Sequence, residues 1–182
     1  RLSAAYEKSR DPEDFMLCRL EYQKMMKKDE LSTADKWNYA TIHHFMLRFC
    51  KTVALEWYDK AIADGSEKDL HTYMRARSLR NYLLFEVGKG DEVVAEQREN
   101  CDRNPNNPLE WHFLIEAYIW NDNCEEAYTL FQKAMKLFPE NWRLYILGGD
   151  ICEALNKYDE AFGYWHKAGE IGTDFYDECY CI

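Results

Sequence analysis

Apolar residues recur at helical spacing along most of the chain, and no stretch alternates apolar and polar residues for long enough to form a strand. One apolar stripe, which follows a predicted helix start at Asp11, consists of Phe15, Cys18, Tyr22 and Met25. The few prolines and glycines fall between segments of roughly 12 to 20 residues, the usual length of a globular helix. The pattern therefore predicts an all-α chain of about ten helices, paired as hairpins by short turns.

Ser32 is a predicted N-cap, because it precedes a helical segment and Asp35 follows three residues later. The segment then runs to about Ala63 without glycine or proline, a length that one helix could span. Register with the later part of the chain instead predicts a turn around Phe49 to Lys51.

The sequence matches itself when it is shifted by 34 residues. The matched positions are Trp111, Leu114, Ile115, Tyr118, Ala127, Phe131 and Ala134, followed by Tyr145, Gly148, Gly149, Cys152, Ala161, Trp165 and Ala168. A third copy contains Ala54, Tyr58 and Ala61, and a degenerate copy lies at about 74–107. Ala61 and Ala134 lie slightly farther apart than two such periods, which predicts an insertion around Ala63 to Thr72.

This pattern resembles that of tetratricopeptide repeat proteins. The segment that carries the resemblance is Trp111-x2-Leu114-x3-Tyr118-x8-Ala127-x3-Phe131-x2-Ala134-x4-Pro139. The match is strong over 108–171, moderate over 35–64 and weak over 74–107. The resemblance implies an all-α, right-handed superhelical solenoid of about four stacked antiparallel helix pairs.

On this pattern the chain divides into six segments. They are capping helices or a degenerate repeat at 1–30, a first repeat at 31–66, a degenerate second repeat with an inserted loop at 67–107, a third repeat at 108–141, a fourth repeat at 142–175, and a tail at 176–182.

Composition narrows the possible partners. The 182 residues are 47% hydrophobic and 15% aromatic, enough to build a folded core. The net charge of -10 disfavours nucleic acid and direct contact with anionic membranes, and the mean hydropathy of -0.63 agrees with a soluble chain. Seven cysteines, an odd number, favour reduced thiols and a cytoplasmic location. Because the chain begins at Arg1, we expect a segment of a longer protein.

The sequence contains no glycine-rich phosphate loop and no serine-hydrolase or zinc-protease motif. His43 and His44 are adjacent and would point about 100° apart on a helix, so they cannot share a metal ion. Cys179 and Cys181 could bind a soft metal, but a frayed terminus is the simpler interpretation. We therefore predict no catalytic residue, no cofactor and no metal site.

In the resembled family, partners bind a concave surface lined by the first helix of each repeat. The corresponding positions here are Tyr39, His43, Met46, Arg75, Ser78, Tyr82, Phe85, Leu109, His112, Glu116, Ile119, Arg143, Ile146, Asp150 and Glu153. This mixture suits a protein or peptide partner with apolar anchors and some positive charge. A merely solvated face is the alternative, with Tyr82 and Phe85 acting as packing residues.

The resemblance also allows one specific activity to be checked. Chaperone adaptors of the family bind an acidic peptide terminus with a clamp, whose positions here are Ser78, Tyr82, Phe113, Arg143 and Leu147. Only Arg143 suits that role, so an acidic chaperone tail is disfavoured. The predicted function is a non-catalytic scaffold or adaptor. The alternatives are a peptide-sensing regulatory domain, or a homo-oligomerisation module with an apolar edge at Phe175, Tyr176 and Tyr180.

Overall fold

The computed structural model describes residues 12–28, 31–46 and 51–172, with side chains from residue 16 onward except that of Met46. These residues form nine α-helices and no strand, which confirms the all-α prediction for this part of the chain. The helices are α1 Pro12–Met26, α2 Thr33–Met46, α3 Lys51–Ala63, α4 Leu70–Glu86, α5 Gly90–Arg103, α6 Pro108–Trp120, α7 Cys124–Leu137, α8 Trp142–Ala154 and α9 Tyr158–Ile171.

Several sequence predictions lie outside the described residues. They concern the N-cap at Asp11, the turn around Phe49, the pair Cys179 and Cys181, and the tail at 176–182.

The predicted N-cap at Ser32 is confirmed. The Ser32 hydroxyl oxygen accepts a hydrogen bond from the Asp35 N–H (3.2 Å), and the Asp35 carboxylate accepts one from the Ser32 N–H (3.1 Å). This reciprocal arrangement satisfies two backbone donors that the first turn of a helix leaves without partners.

The chain forms two compact units, residues 1–84 and residues 85–182. In the first unit α2 and α3 pair closely. Asp64, just after α3, accepts hydrogen bonds from Thr33 and Lys36 at the start of α2, both at 2.7 Å, so the two helices are antiparallel. Their shared core with α4 consists of Ala40, Ala54, Tyr58, Ala61, Ala76 and Leu83. Four small alanines in this set allow close approach of the helices.

In the second unit each helix from α5 to α9 contacts the next, and α6 also contacts α8. The core contains the repeat positions Leu114, Ile115, Tyr118, Ala127, Phe131 and Ala134, together with residues from α5 and α8. Each helix pair therefore buries its apolar face against the next pair, as in a repeat protein.

The repeat period is visible in the backbone geometry of the second unit. Asn107 and Asn141 each accept a hydrogen bond from the N–H two residues later (both 3.1 Å) and so cap α6 and α8. Asp122 and Asn156, also one period apart, adopt left-handed φ angles of 56° and 59° in the turns within each pair. Equivalent residues thus perform equivalent structural roles, which makes this unit a TPR-like helical repeat.

The same period fixes an aromatic contact at the start of each pair. Trp111 donates from its ring N–H to the carbonyl of Pro105 (2.8 Å), and the Tyr145 hydroxyl donates to the carbonyl of Pro139 (3.1 Å). In the next repeat, a different aromatic residue therefore donates a hydrogen bond to the equivalent proline carbonyl.

Candidate functional site

The α6–α8 face is the surface formed by the predicted partner-binding residues of these two contacting helices. Seven of them are half-buried and one, Glu153, is exposed; the half-buried ones are Leu109, His112, Glu116, Ile119, Arg143, Ile146 and Asp150. Neighbouring positions on α6, such as Phe113 and Ile115, are fully buried. The face is therefore partly accessible beside a tightly packed core.

Carboxylates give the α6–α8 face its electrostatic character. The ring N–H of Trp165 donates to Asp150 at 3.1 Å and would by itself lower the pKa of that carboxyl. Burial outweighs this contact and raises the pKa of Asp150, and nearby Glu153 acts in the same direction. A positive charge brought to this face would relieve the penalty on ionised Asp150.

Arg143, the residue that suited a carboxylate clamp, stacks on an aromatic ring. Its guanidinium lies 4.3 Å from the centre of the Trp142 ring, within the range of a cation–π contact.

In the first unit, Tyr39 and His43 do not line an open surface, in contrast to the expectation. They are only 5% and 2% exposed. Tyr22 of α1 packs edge-on against the Tyr39 ring at 5.8 Å between centroids, and the Tyr39 ring lies 4.6 Å from that of His43. The prediction fails at these two positions because α1 covers this side of α2. Met46 lies outside the described side chains.

The other side of α2 contacts α4 but is only partly covered by it. Arg75 lies 4.5 Å from the ring centre of Trp37, and Ser78 is half-buried beside it on α4. Farther along, His44 stacks on Phe45 with centroids 4.3 Å apart and lies 6.1 Å from the ring of Tyr82.

Phe45 is one exposed aromatic residue that the sequence analysis missed. It is 54% exposed, beside Tyr82 at 39%. In the register that aligns Ala61 with Ala134, Phe45 aligns with Tyr118, so the repeat pattern predicts a buried residue there. The useful signal is the spacing of Trp37, Thr41 and Phe45, which places them on one helix face.

Phe85 is a packing residue, the alternative that the sequence analysis left open. Its ring contacts Trp120 edge-on at 5.9 Å, and it also closes over Gly90, where an added Cβ would lie 2.7 Å from the ring.

A surface cavity of about 400 Å³ lies among α7, α8 and α9. Its lining consists of Phe131, Gln132, Met135, Lys136, Tyr145 and Tyr164. Burial and a hydrogen bond with Tyr128 raise the pKa of Tyr164 to about 12, so its hydroxyl is neutral at physiological pH.

The described part of the chain contains neither a metal-binding cluster nor a helix suited to cross a membrane. Its His, Cys, Asp and Glu side chains form no group of three or more that could hold a metal ion. Among its helices, none combines the length and the hydropathy that a bilayer crossing requires.

No protein-family model and no curated protein matches this sequence. Similar solved structures include "MamA MSR-1 C2", 16% identical with a TM-score of 0.45, covering 93% of this chain and 91% of that one. "Crystal structure of MamA protein" is 18% identical with a TM-score of 0.45, covering 100% and 96%. "MamA 41-end from Desulfovibrio magneticus RS-1" is 13% identical with a TM-score of 0.48, covering 86% and 94%. At these TM-scores the similarity does not by itself establish the fold or the function of this chain. The helical repeat is shown by the packing described above.

Proposed function

We propose that this chain is a cytoplasmic protein-interaction module that acts as a scaffold or adaptor, and that its α6–α8 face binds a partner peptide or helix. The observation that carries the proposal is the row of half-buried side chains across two contacting helices. Ile146 offers an apolar contact, and Glu116, Asp150 and Glu153 offer negative charge. A partner with an apolar anchor flanked by Lys or Arg complements this combination.

The charge distribution of the chain supports the same partner chemistry. Residues 85–182 contain 20 acidic and 8 basic residues, a net charge of -12, whereas residues 1–84 contain 13 acidic and 15 basic residues, a net charge of +2. The field of the second unit therefore attracts basic partners, and salt should weaken that attraction.

A peptide-display selection against the purified chain tests the proposal, because a random library samples many peptide chemistries at once. We expect the selected peptides to be enriched in Lys or Arg beside large apolar residues. One synthetic selected peptide, labelled with a fluorophore, then serves as the probe for affinity measurements by fluorescence anisotropy.

Charge-reversal variants locate the binding face. The double variant Glu116→Lys with Glu153→Lys should weaken binding of the labelled peptide at least tenfold, or by about 1.4 kcal/mol. The matched control, Glu125→Lys with Glu140→Lys, makes the same change in net charge at two exposed positions outside the face. Equal losses in both variants, or selected peptides without basic residues, would contradict the proposal.

A further inference from the structure

Half of the large apolar side chains that are exposed in the described part of the chain lie on its first and last helices. On α1, Met16, Leu17 and Leu20 are 46%, 53% and 47% exposed, and on α9, Tyr158 and Phe162 are 63% and 68% exposed. Helical spacing places each set on one side of its helix, so we name them the α1 stripe and the α9 stripe. Exposed apolar surface of this kind is typical of interaction sites.

The repeat itself shows how a position equivalent to Phe162 is covered. Its counterpart in the preceding repeat is Tyr128, whose ring lies 4.6 Å from the Lys157 ammonium group. The Tyr128 hydroxyl also lies within 3.4 Å of the Glu160 carboxylate. The following helix pair thus covers Tyr128 with one positive and one negative side chain. Phe162 receives no such cover from the residues that the structure describes.

The segment 16–28, which contains the α1 stripe, is net basic, with Arg19, Lys24, Lys27 and Lys28 against Glu21; Glu13 and Asp14 precede it in the first turn of α1. α9 is net acidic, with Asp159, Glu160 and Glu170 against Lys167, although Glu160 lies beside Tyr128 and not beside the stripe. An α1 stripe placed on an α9 stripe therefore brings complementary charges together around an apolar centre.

Charge also argues against the contact of two α9 stripes. Such a contact would bring together two units of net charge -12, whereas a contact between α1 and α9 joins a unit of +2 with a unit of -12. Like charges at an interface oppose association and opposite charges favour it.

We propose that the α1 stripe of one copy docks on the α9 stripe of a second copy. The two surfaces in this contact are different, so the interface is heterologous, and a bound pair still has one unused stripe of each kind. Association should therefore extend beyond dimers as the protein concentration rises.

Sedimentation velocity across the micromolar range, on the full chain, tests this association. We expect the weight-average mass of the wild type to rise with concentration, and Leu20→Glu and Phe162→Glu to be monomeric. Leu137→Glu is the matched control, because Leu137 is 53% exposed on α7 but belongs to neither stripe; it should associate like the wild type. Far-ultraviolet circular dichroism verifies that all three variants keep their helices.

Mixing the two blocked variants distinguishes a heterologous contact from a symmetric one. An equimolar mixture should form dimers and nothing larger, because Leu20→Glu retains the α9 stripe and Phe162→Glu retains the α1 stripe. Dimers of Leu20→Glu alone would overturn the proposal, since they require contact between two α9 stripes. A monomeric wild type would also overturn it. If substitution of Phe175 and Tyr176 then released association, the chain's own C-terminal residues would be the occupant of the α9 stripe.

Discussion

Replacing Gly148 by alanine should destabilise the second unit, although the same change usually stabilises a helix. An added Cβ would lie 2.5 Å from Cζ of Phe131 and 2.8 Å from its Cε2. Phe131 is 1% exposed, and its ring packs edge-on against Tyr164 with centroids 5.1 Å apart. The ring can therefore yield only by disturbing its other contacts. This close approach explains why glycine stands where the preceding repeat has Leu114.

Two opposing effects set the size of the change. Alanine in place of glycine within a helix contributes about 0.5–1 kcal/mol of stability. A methyl group forced into a packed core costs about 1–3 kcal/mol. The steric effect is the larger, so the free energy of unfolding should fall by about 1 kcal/mol, the difference between the middle values of the two ranges. For a chain of this length, that corresponds to a decrease in Tm of several degrees.

Gly163 and Gly169 of α9 provide the matched controls. Neither has an atom within 4 Å of an added Cβ, and both are exposed. Gly163→Ala and Gly169→Ala should therefore raise Tm, while Gly148→Ala lowers it. Thermal unfolding followed by circular dichroism measures all three. If Gly148→Ala stabilised the protein as much as Gly163→Ala does, the close-packing argument would be refuted.

Three further predictions use the same unfolding assay. Burial, and secondarily the charge of Arg19, lower the pKa of His43 below 6.5, so the unfolded chain binds this proton more readily than the folded one. The free energy of unfolding should therefore fall as the pH decreases through about 6.5. This fall should be less steep in His43→Leu than in His71→Leu, the control at an exposed histidine. Burial raises the pKa of Asp150, so the ionised carboxylate destabilises the folded state. Asp150→Asn should therefore raise Tm at about pH 7. The increase in Tm should become smaller towards about pH 4, where the wild-type carboxyl is protonated. Asn141→Ala should cost about 1 kcal/mol, because the Asn141 side chain accepts from the N–H groups of Arg143 and Leu144, whereas Asn106→Ala, in an exposed turn, should have little effect.

The second unit was predictable from sequence because its repeated residues have separate physical roles. Ala127 and Ala161 are buried where helices approach closely. Asp122 and Asn156 are of the residue types that best tolerate a left-handed φ after glycine. When the sequence is shifted by one repeat and compared with itself, residues with the same packing role or the same turn role therefore align.

The first unit was less predictable because its α1 has no recognisable counterpart in the repeat. The register correctly identifies Ala54, Tyr58 and Ala61 as core residues. It cannot show which side of α2 another helix will cover, and α1 covers the side that bears Tyr39 and His43. Sequence spacing fixes the face on which a residue lies, whereas tertiary packing decides whether that face meets solvent.

The two proposed interactions use one electrostatic asymmetry but different residues, and this makes them separable. A basic partner and the first unit of a second copy, with its net charge of +2, are both attracted by the net charge of -12 on residues 85–182, so added salt should weaken both interactions. Short-range contacts distinguish them, because the α6–α8 face and the α9 stripe have no residue in common. Charge reversal at Glu116 and Glu153 should therefore weaken peptide binding at least tenfold. It should weaken self-association only through its effect on net charge, to the same extent as the control reversal at Glu125 and Glu140. Phe162→Glu should abolish self-association and leave peptide binding nearly unchanged, since it removes the apolar centre of the α9 stripe and leaves the α6–α8 face intact.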